Sequence, residues 1–192
     1  MHSKRQNQII EETIKLIHTK GIQGLTIKNI SQAIGLTEAA IYRHFKSKDD
    51  ILSTMLDDFR EKLDSKSQPI LNSNLTALNK LKTMLNQLIE MFSSNPHIVS
   101  VIFSDEIFRN KKILSDKIIN LIKQNDKYFK SIIEEGQETK EIRRDIITEE
   151  LAVIIMGSFR MIVKNWQLDN QKYSLSERGN NFFDSLFKII SA

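Results

Sequence analysis

Residues 26–48 (TIKNISQAIGLTEAAIYRHFKSK) contain two short helical patterns on either side of Gly35, and this stretch restricts the fold more than any other part of the chain. The first pattern has one apolar stripe at helical spacing, formed by Ile27, Ile30, Ala33 and Ile34. Thr26 can cap this helix, because its hydroxyl can accept from backbone N–H groups of the first turn. Gly35 lies just past the stripe, where a residue in the left-handed conformation commonly ends a helix.

The second pattern predicts a short helix from Glu38 to about Phe45, with Thr37 as its N-cap. At about 100° per residue, Ile41 and Phe45 point to the same side of this helix. The other side carries small, aromatic and basic residues: Ala39, Ala40, Tyr42 and Arg43. A short helix with such an outer face can enter the major groove of DNA. The two helices together therefore predict a helix-turn-helix.

Each of these side chains also has a simpler interpretation. A Tyr on a short helix is more often a half-buried core residue, and an Arg is more often a solvated charge. Glu38 could accept from a cytosine amino group, but an acid in the first turn also stabilises the helix dipole, and we favour that role. The combination of Tyr42 and Arg43 with Gly35 and the two capping threonines indicates DNA binding.

The segment from about Arg5 to Leu56 resembles the DNA-binding part of the TetR/AcrR family of bacterial transcription regulators. The resemblance rests on IIEETIKLIHTKG (residues 9–21) and LTIKNISQAIGLTEAAIYRHFKSKDDIL (residues 25–52). The rest of the chain matches only in length and helical character. The resemblance implies a homodimer that binds a palindromic DNA operator, most often as a repressor, and that a small-molecule effector releases.

The resemblance implies DNA contacts for ten residues: Thr26, Lys28, Thr37, Glu38, Ala39, Ala40, Tyr42, Arg43, His44 and Lys48. Thr26 and Lys28 would contact phosphate and in some cases a base edge. Tyr42 and His44 would touch phosphate or a thymine methyl group. The chain departs from the commonest family pattern at Ala39, where a Gly is frequent, and this difference bears on how closely the helix enters the groove.

The distribution of charge agrees with a nucleic-acid partner. Residues 1–48 hold eight Lys or Arg and three acidic residues, a net charge of +5, whereas the remainder holds 20 basic and 21 acidic residues. A phosphate backbone attracts such a basic segment, and the resulting affinity falls with salt. We therefore expect a DNA-binding domain over residues 1–48 and a regulatory domain over residues 49–192.

The remainder of the chain consists of amphipathic helical patterns with no strand alternation and no internal repeat, so we predict an all-α fold of about nine helices. The fourth helix should begin at Ser47 with Asp50 and end before a polar break at residues 65–74, which contain Pro69. Further helices are expected over residues 75–94, 96–108, 111–137, 148–168 and 175–190.

The last two helices are expected to form the dimer interface, because the resemblance implies that they pair with their copies in a four-helix bundle. Both helices carry apolar faces that are wider than one neighbour needs. The residues expected at the interface are Leu151, Ile155, Ile162, Phe182, Phe183, Leu186 and Phe187. The alternative is that these faces belong to the core of their own chain.

A cavity between helices of the body is the expected site of a small, hydrophobic effector. Its expected lining is apolar and partly flexible: Met84, Leu88, Met91, Phe92, Phe103, Phe129, Met156 and Phe159. Met and Phe at helical spacing are also typical of an ordinary core. The effector would act by preferring a conformation in which the fourth helix shifts and DNA binding weakens.

Other classes of function find little support in the sequence. The chain has no Cys, which excludes disulfides and thiolate zinc sites and fits a reducing cytoplasm. The four His show no metal-ligand spacing, and no phosphate loop or nucleophile motif appears, so we expect neither catalysis nor a cofactor. The acidic pairs Asp105–Glu106, Glu134–Glu135 and Glu149–Glu150 do not face each other on a helix.

Two further expectations concern the membrane and the alternative function. The longest apolar run, residues 151–156, is too short to span a bilayer, so we expect no membrane partner. A DNA-binding protein of the nucleoid or of division control, which senses no ligand, could use the same fold and the same reading helix. This is the alternative to a ligand-responsive regulator.

Overall fold

In a computed structural model of the protein, which describes residues 2–104 and 111–192, the chain folds into helices joined by short connections. The nine helices of the described residues are α1 Lys4–Lys20, α2 Ile27–Ala33, α3 Glu38–Tyr42, α4 Lys48–Leu71, α5 Ala77–Ser94, α6 His97–Ile102, α7 Lys112–Glu138, α8 Thr148–Leu168 and α9 Leu175–Ile190. The only β pairing in this part of the chain is one isolated bridge between Ile142 and Ser191. The prediction of an all-α fold is confirmed.

Several helices begin at side-chain caps. The Ser3 hydroxyl accepts from the Gln6 N–H at 3.2 Å, and the Gln6 side chain accepts from the Ser3 N–H at 2.9 Å, which completes a capping box at α1. Gly21 follows α1 with a φ of 67°. The Ser174 hydroxyl accepts from the Glu177 N–H at 3.2 Å at the start of α9. These local contacts set the helix boundaries.

The prediction of a polar break at residues 65–74 is wrong, because α4 continues to Leu71 with Pro69 inside it. A proline removes one backbone hydrogen bond, and here this loss falls in the last turn of the helix. Packing holds that turn in place: Ile70 is buried, and the Leu71 carbonyl accepts from the Lys80 ammonium at 3.2 Å. Tertiary contacts therefore override the local preference of the sequence.

Two other helices are shorter than predicted. Helix α3 ends at Tyr42 instead of near Phe45. Past this end the Ile41 carbonyl accepts both from the His44 N–H at 2.9 Å, a bond of the 3-10 type, and from the Phe45 N–H at 3.1 Å. Helix α6 ends at Ile102. Its predicted end near residue 108 lies outside the described residues.

The chain divides into two compact units, one formed by Met1–Glu61 and His97–Leu121 and the other by Lys62–Pro96 and Ile122–Ala192. In the first unit α1 packs on α2 and α6, and α2 packs on α3. In the second unit α5, α8 and α9 pack on one another. Helices α4 and α7 each contribute residues to both units. The helix-turn-helix residues belong to the first unit.

In the first unit, α1 meets α6 at a pair of histidines. The ring centroids of His18 and His97 lie 4.3 Å apart, and His18 Nδ1 is 2.9 Å from the Ser100 hydroxyl. Burial lowers the pKa of His97, and the neighbouring His18 and Lys15 lower it further. The neutral form of His97 is therefore favoured where these two helices touch.

In the second unit, a buried ion pair connects three helices. Lys80 on α5 is only 5% exposed, and its ammonium lies 2.8 Å from both carboxylate oxygens of Glu135 on α7. The same ammonium donates to the carbonyl of Leu71, the last residue of α4. Each donor of this buried charge thus has an acceptor, which is the condition under which a buried charge is tolerated.

We predict that Glu135→Ala destabilises the protein, because the Lys80 ammonium would stay buried with only the Leu71 carbonyl as a partner. The free energy of unfolding should fall by about 1–3 kcal/mol, which is less than for a fully buried pair, since the Glu135 side chain is 41% exposed. Urea denaturation measures this change. The neighbouring Glu134→Ala is the matched control, and equal stability of the two variants would contradict the role of the ion pair.

Candidate nucleic-acid interface

A tight turn at Gly35 joins α2 to α3. Gly35 has a φ of 67°, and a Cβ added to it would meet no atom within 4 Å, so the backbone conformation and not a lack of space favours glycine. The Leu36 N–H donates to the Ser31 carbonyl at 2.8 Å. The turn is therefore held by a backbone hydrogen bond, and the predicted left-handed glycine is confirmed.

Two threonine caps fix where the helices of this motif begin. The Thr26 hydroxyl accepts from the Asn29 N–H at 3.0 Å, and the Thr37 hydroxyl accepts from the Ala40 N–H at 3.2 Å. Both caps are confirmed. Each hydroxyl uses its oxygen as the acceptor and keeps its own O–H as a donor, so both threonines retain the ability to bind a phosphate oxygen.

Helix α3 has one buried side and one exposed side. Ile41 is fully buried and Phe45, just past the helix, is 3% exposed, whereas Tyr42 is 53% exposed. Four more of the expected DNA contacts in or next to α3 are exposed: Thr37, Glu38, Ala39 and Arg43. Ala40 and His44 are half-buried at the edge of this face. The exposed face therefore carries small, aromatic and basic side chains, together with the acidic Glu38 in the first turn.

The buried side of α2 differs from the predicted stripe. Ile30 is fully buried and Ile27 and Ile34 are half-buried, but Ala33 is exposed. The polar Ser31 takes a buried position instead, and its hydroxyl donates to the Lys28 carbonyl at 2.9 Å. A short helix covered on one side buries only part of its apolar stripe, and a satisfied hydroxyl can enter the core.

Lys48, the first residue of α4, has a structural contact as well as an expected role on DNA. It is half-buried, and its ammonium donates to the Leu25 carbonyl at 3.3 Å. An ammonium has three donors, so two remain for a phosphate. The predicted cap at this helix start is confirmed: the Asp50 N–H donates to the Ser47 hydroxyl at 3.1 Å. The Asp50 carboxylate also accepts from the Lys46 N–H at 2.8 Å.

A cavity of about 10 Å³ lies in the second unit and brings together three of the eight expected ligand residues: Met84, Leu88 and Met91. The other five lie elsewhere. The rings of Phe92 and Phe159 pack with their centroids 6.0 Å apart, and Phe129 is fully buried. Phe103 belongs to the first unit. Met156 is not part of the cavity lining, although its sulfur touches one of the lining residues.

Sequence reasoning missed the other side of this cavity. Its remaining lining residues are Leu63, Lys66, Ser67, Gln87 and Asn125, and four of these five are polar. A signal was present for Asn125, because it occupies a core position of α7 in a row of apolar residues that includes Leu121 and Phe129. An amide at such a position requires hydrogen-bond partners.

The residues expected at the dimer interface lie mostly inside the chain. Five of the seven are buried: Leu151, Ile155, Ile162, Phe183 and Leu186. Phe182 and Phe187 are half-buried. The exposed apolar side chains of the same two helices are different ones: Val153, Ile154, Met161 and Leu168 on α8 and Ile189 on α9. A second copy that docks on α8 and α9 would therefore meet this second set.

Among the acidic pairs, Glu149 and Glu150 lie in the first turn of α8, where acidic side chains favour the helix dipole. Glu135 binds Lys80, and Asp105 and Glu106 lie outside the described residues. Residues 2–104 and 111–192 contain no group of three or more side chains that could hold a metal ion. In the same ranges, no helix combines the length and the apolar character that crossing a membrane requires.

We predict that Phe45→Ala destabilises the helix-turn-helix, because truncation of a buried Phe typically costs about 3–5 kcal/mol. Tyr42→Ala changes an exposed aromatic in the same motif and should leave the free energy of unfolding within about 1 kcal/mol of the wild type. Urea denaturation followed by circular dichroism compares the two variants. A Phe45→Ala protein as stable as Tyr42→Ala would contradict the assignment of the buried side.

Comparison with known proteins identifies both parts of the chain. Residues 9–55 match the family model described as bacterial regulatory proteins, tetR family. Residues 53–189 match the model described as YsiA-like protein, C-terminal region. The two matches together follow the chain from α1 to α9.

Individual relatives are similar over nearly the whole chain. The fatty acid metabolism regulator protein of Bacillus subtilis is 22% identical over 93% of this chain and 92% of its own length. The nucleoid occlusion factor SlmA of Vibrio atlanticus is 25% identical over 99% of this chain and 95% of its own.

A solved structure has the same fold. The transcriptional regulator FadR of Bacillus subtilis, in complex with stearoyl-CoA, superposes with a TM-score of 0.80 at 22% identity, over 94% of this chain and 97% of that one. At this level of identity the likeness shows the fold alone.

Proposed function

This chain belongs to the TetR family of bacterial regulatory proteins, and we propose that it acts as a homodimeric repressor that a small hydrophobic molecule releases from a palindromic operator. The observation that carries the proposal is the exposed face of α3. Tyr42 and Arg43 project from a helix whose other side is fixed by the buried Ile41 and Phe45. Such a face can approach base edges while the surrounding basic residues bind phosphates.

We assign DNA binding to residues 1–48 and regulation to residues 49–192. In this assignment Arg43 reads a base edge, and Lys28 and Lys48 hold the phosphate backbone. Recognition of a palindrome requires two copies, whose reading helices would lie about 34–36 Å apart, one turn of DNA. The net charge of +5 on residues 1–48 supports this division of roles.

The effector is proposed to enter the cavity of the second unit. The Bacillus subtilis relative is named for fatty acid metabolism, and its solved structure holds stearoyl-CoA, so a long-chain acyl compound is the first effector to test. A cavity of about 10 Å³ has room for about one water molecule. An acyl chain would therefore have to displace Met84, Leu88 and Met91, and methionine side chains adapt readily to such changes.

Helix α4 offers a physical link between the effector and DNA. It carries Lys48 at its start and the cavity residues Leu63, Lys66 and Ser67 further along. An effector that binds more tightly to a conformer with a displaced α4 would lower the population that binds DNA. Coupling of this kind is typically about 1–3 kcal/mol.

The direct test measures fluorescence anisotropy of labelled DNA from upstream of the protein's own gene, with a scrambled duplex of equal length as the control. Binding should favour the native duplex and weaken as salt rises. Tyr42→Ala should lose this preference while remaining folded. No binding to either duplex at low salt, by a folded dimer free of bound ligand, would contradict the proposal.

Two substitutions separate base reading from phosphate binding. Arg43→Ala should relax the preference at one base position by about 1–3 kcal/mol. Lys48→Ala should weaken binding to all sequences alike, and it should lower by about 1 the slope of log affinity against log salt concentration. Anisotropy on a set of single-base operator variants measures both effects. An equal loss on every sequence for Arg43→Ala would make Arg43 a phosphate contact.

The second candidate function is DNA binding without a sensed ligand, as in chromosome organisation or division control. The small volume of the cavity, about 10 Å³, and the similarity to the nucleoid occlusion factor favour it. Addition of stearoyl-CoA to the protein–DNA complex separates the two functions. Release of the DNA supports the ligand-responsive repressor. Unchanged binding, together with many binding sites across the chromosome, supports the second candidate.

The proposed dimer uses the exposed apolar face of α8. Ile154, Met161 and Leu168 recur at helical spacing on this face, and Gly157 lies between them with no atom of the chain within 4 Å of an added Cβ. A glycine in that position lets a second helix approach closely. Burial of this face would remove the exposed apolar side chains from water.

We predict that Met161→Glu converts the dimer to a monomer, because a charge would be buried without a partner at the interface. Ile113→Glu on α7 is the matched control, since Ile113 and Met161 are both exposed apolar side chains, at 71% and 61%. Sedimentation equilibrium measures the mass of each variant. A Met161→Glu protein that remains a dimer at the same concentrations would show that the interface lies elsewhere.

A further inference from the structure

The buried side chain of Asn125 has an oxygen that no group of the described chain satisfies. Asn125 lies on α7 and is 8% exposed. Its Nδ2 is 3.9 Å from the sulfur of Met156, whereas its buried Oδ1 has no hydrogen-bond partner. Leu121 and Phe129, one helical turn to either side, are buried apolar residues. An apolar side chain would therefore suit this position better if packing were its only role.

An unpaired acceptor in the core costs stability, and native proteins keep few such groups. A site that is built to hydrogen-bond a ligand gains selectivity from this cost, because a ligand without the matching group leaves the protein atom unpaired. Asn125 is one of the residues that line the cavity of the second unit, so a ligand in this cavity would lie next to it.

The cavity has one polar and one apolar side. Lys66, Ser67 and Gln87 accompany Asn125 on the polar side, and the apolar lining consists of Leu63, Met84, Leu88 and Met91. The one charged residue of the lining, Lys66, has its ammonium 3.9 Å from the Glu90 carboxylate, and neither carboxylate nor aromatic side chains are among the lining residues. This lining suits an uncharged polar group attached to a flexible apolar chain.

We infer that Asn125 determines effector specificity by accepting a hydrogen bond, at Oδ1, from a hydroxyl or amide N–H carried by a long apolar molecule. This inference rests on the proposed function, because it places the effector in the same cavity. A hydroxyl and an amide N–H supply the same chemistry, because each is a neutral donor next to an alkyl chain. A molecule of equal length without the donor would bury Asn125 unsatisfied and bind more weakly.

The experiment uses two matched pairs of probes and the full-length protein without DNA. Dodecan-1-ol is compared with 1-methoxydodecane, and dodecanamide with N,N-dimethyldodecanamide, so that each pair differs in its O–H or N–H donor. Isothermal titration calorimetry measures the four affinities. In the wild type, at least one donor-bearing probe should bind about 10-fold more tightly than its partner, as a hydrogen bond to a buried group allows. The pair that shows the difference tells whether the effector's donor is a hydroxyl or an amide N–H.

Asn125→Leu should remove this discrimination, so that the ratio within each pair approaches one. The ligand-free variant should melt at the same temperature as the wild type or above it, because the unpaired acceptor is gone. Gln87→Leu changes another amide of the cavity lining and should keep the ratio. Asn125→Met serves the same purpose with an unbranched side chain if the leucine does not pack.

Three results would overturn the inference: no binding of any probe to the wild type, equal affinities within both pairs, or a ratio that survives in Asn125→Leu and Asn125→Met. A fall of several degrees in the melting temperature of both ligand-free variants would also overturn it, since Asn125 would then stabilise the core itself. Because no DNA is present, these results are independent of operator binding. Loss of operator recognition with an intact ratio would contradict only the repressor function.

Discussion

The orientation of α3 depends on two buried side chains. A helix of five residues has too few hydrogen bonds to be stable alone, so its position must come from packing. Ile41 and Phe45 provide that packing, and the Gly35 turn determines where the helix starts. Because both anchors lie on one side, Tyr42 and Arg43 are held on the other. The surface proposed to read DNA is therefore a consequence of the core beneath it.

The sequence predicts the parts of this fold that local chemistry determines. Thr26, Thr37 and Gly35 act within a few residues of themselves, so their roles can be read without a structure. The end of α4 could not be predicted, because Lys80 holds its last turn from another helix. The apolar faces of α8 and α9 could be recognised, but periodicity does not show which neighbour covers them. For this reason the sequence did not show that five of the seven residues expected at a dimer interface are buried within their own chain.

Lys48 and Lys80 show two ways in which the chain uses a lysine inside its structure. Lys48 donates to the Leu25 carbonyl and keeps two donors, so it can support the helix-turn-helix and still bind a phosphate. Lys80 is surrounded by three acceptor atoms from two other helices and has no donor left for a ligand. Net charge alone does not distinguish these cases, and only the contacts show which lysine is available to DNA.

The second unit combines a nearly filled core with an unpaired amide, and these two features have related consequences for a sensor. A filled cavity stabilises the ligand-free conformer, so an effector must supply the free energy that separates the two conformers. Contacts of an alkyl chain with the methionines can supply part of it, but many apolar molecules offer the same contacts. A hydrogen bond to Asn125 would add the selective part, because molecules without a donor leave that oxygen buried and unpaired. By thermodynamic linkage, DNA bound at the helix-turn-helix would weaken effector binding by the same factor as the effector weakens DNA binding.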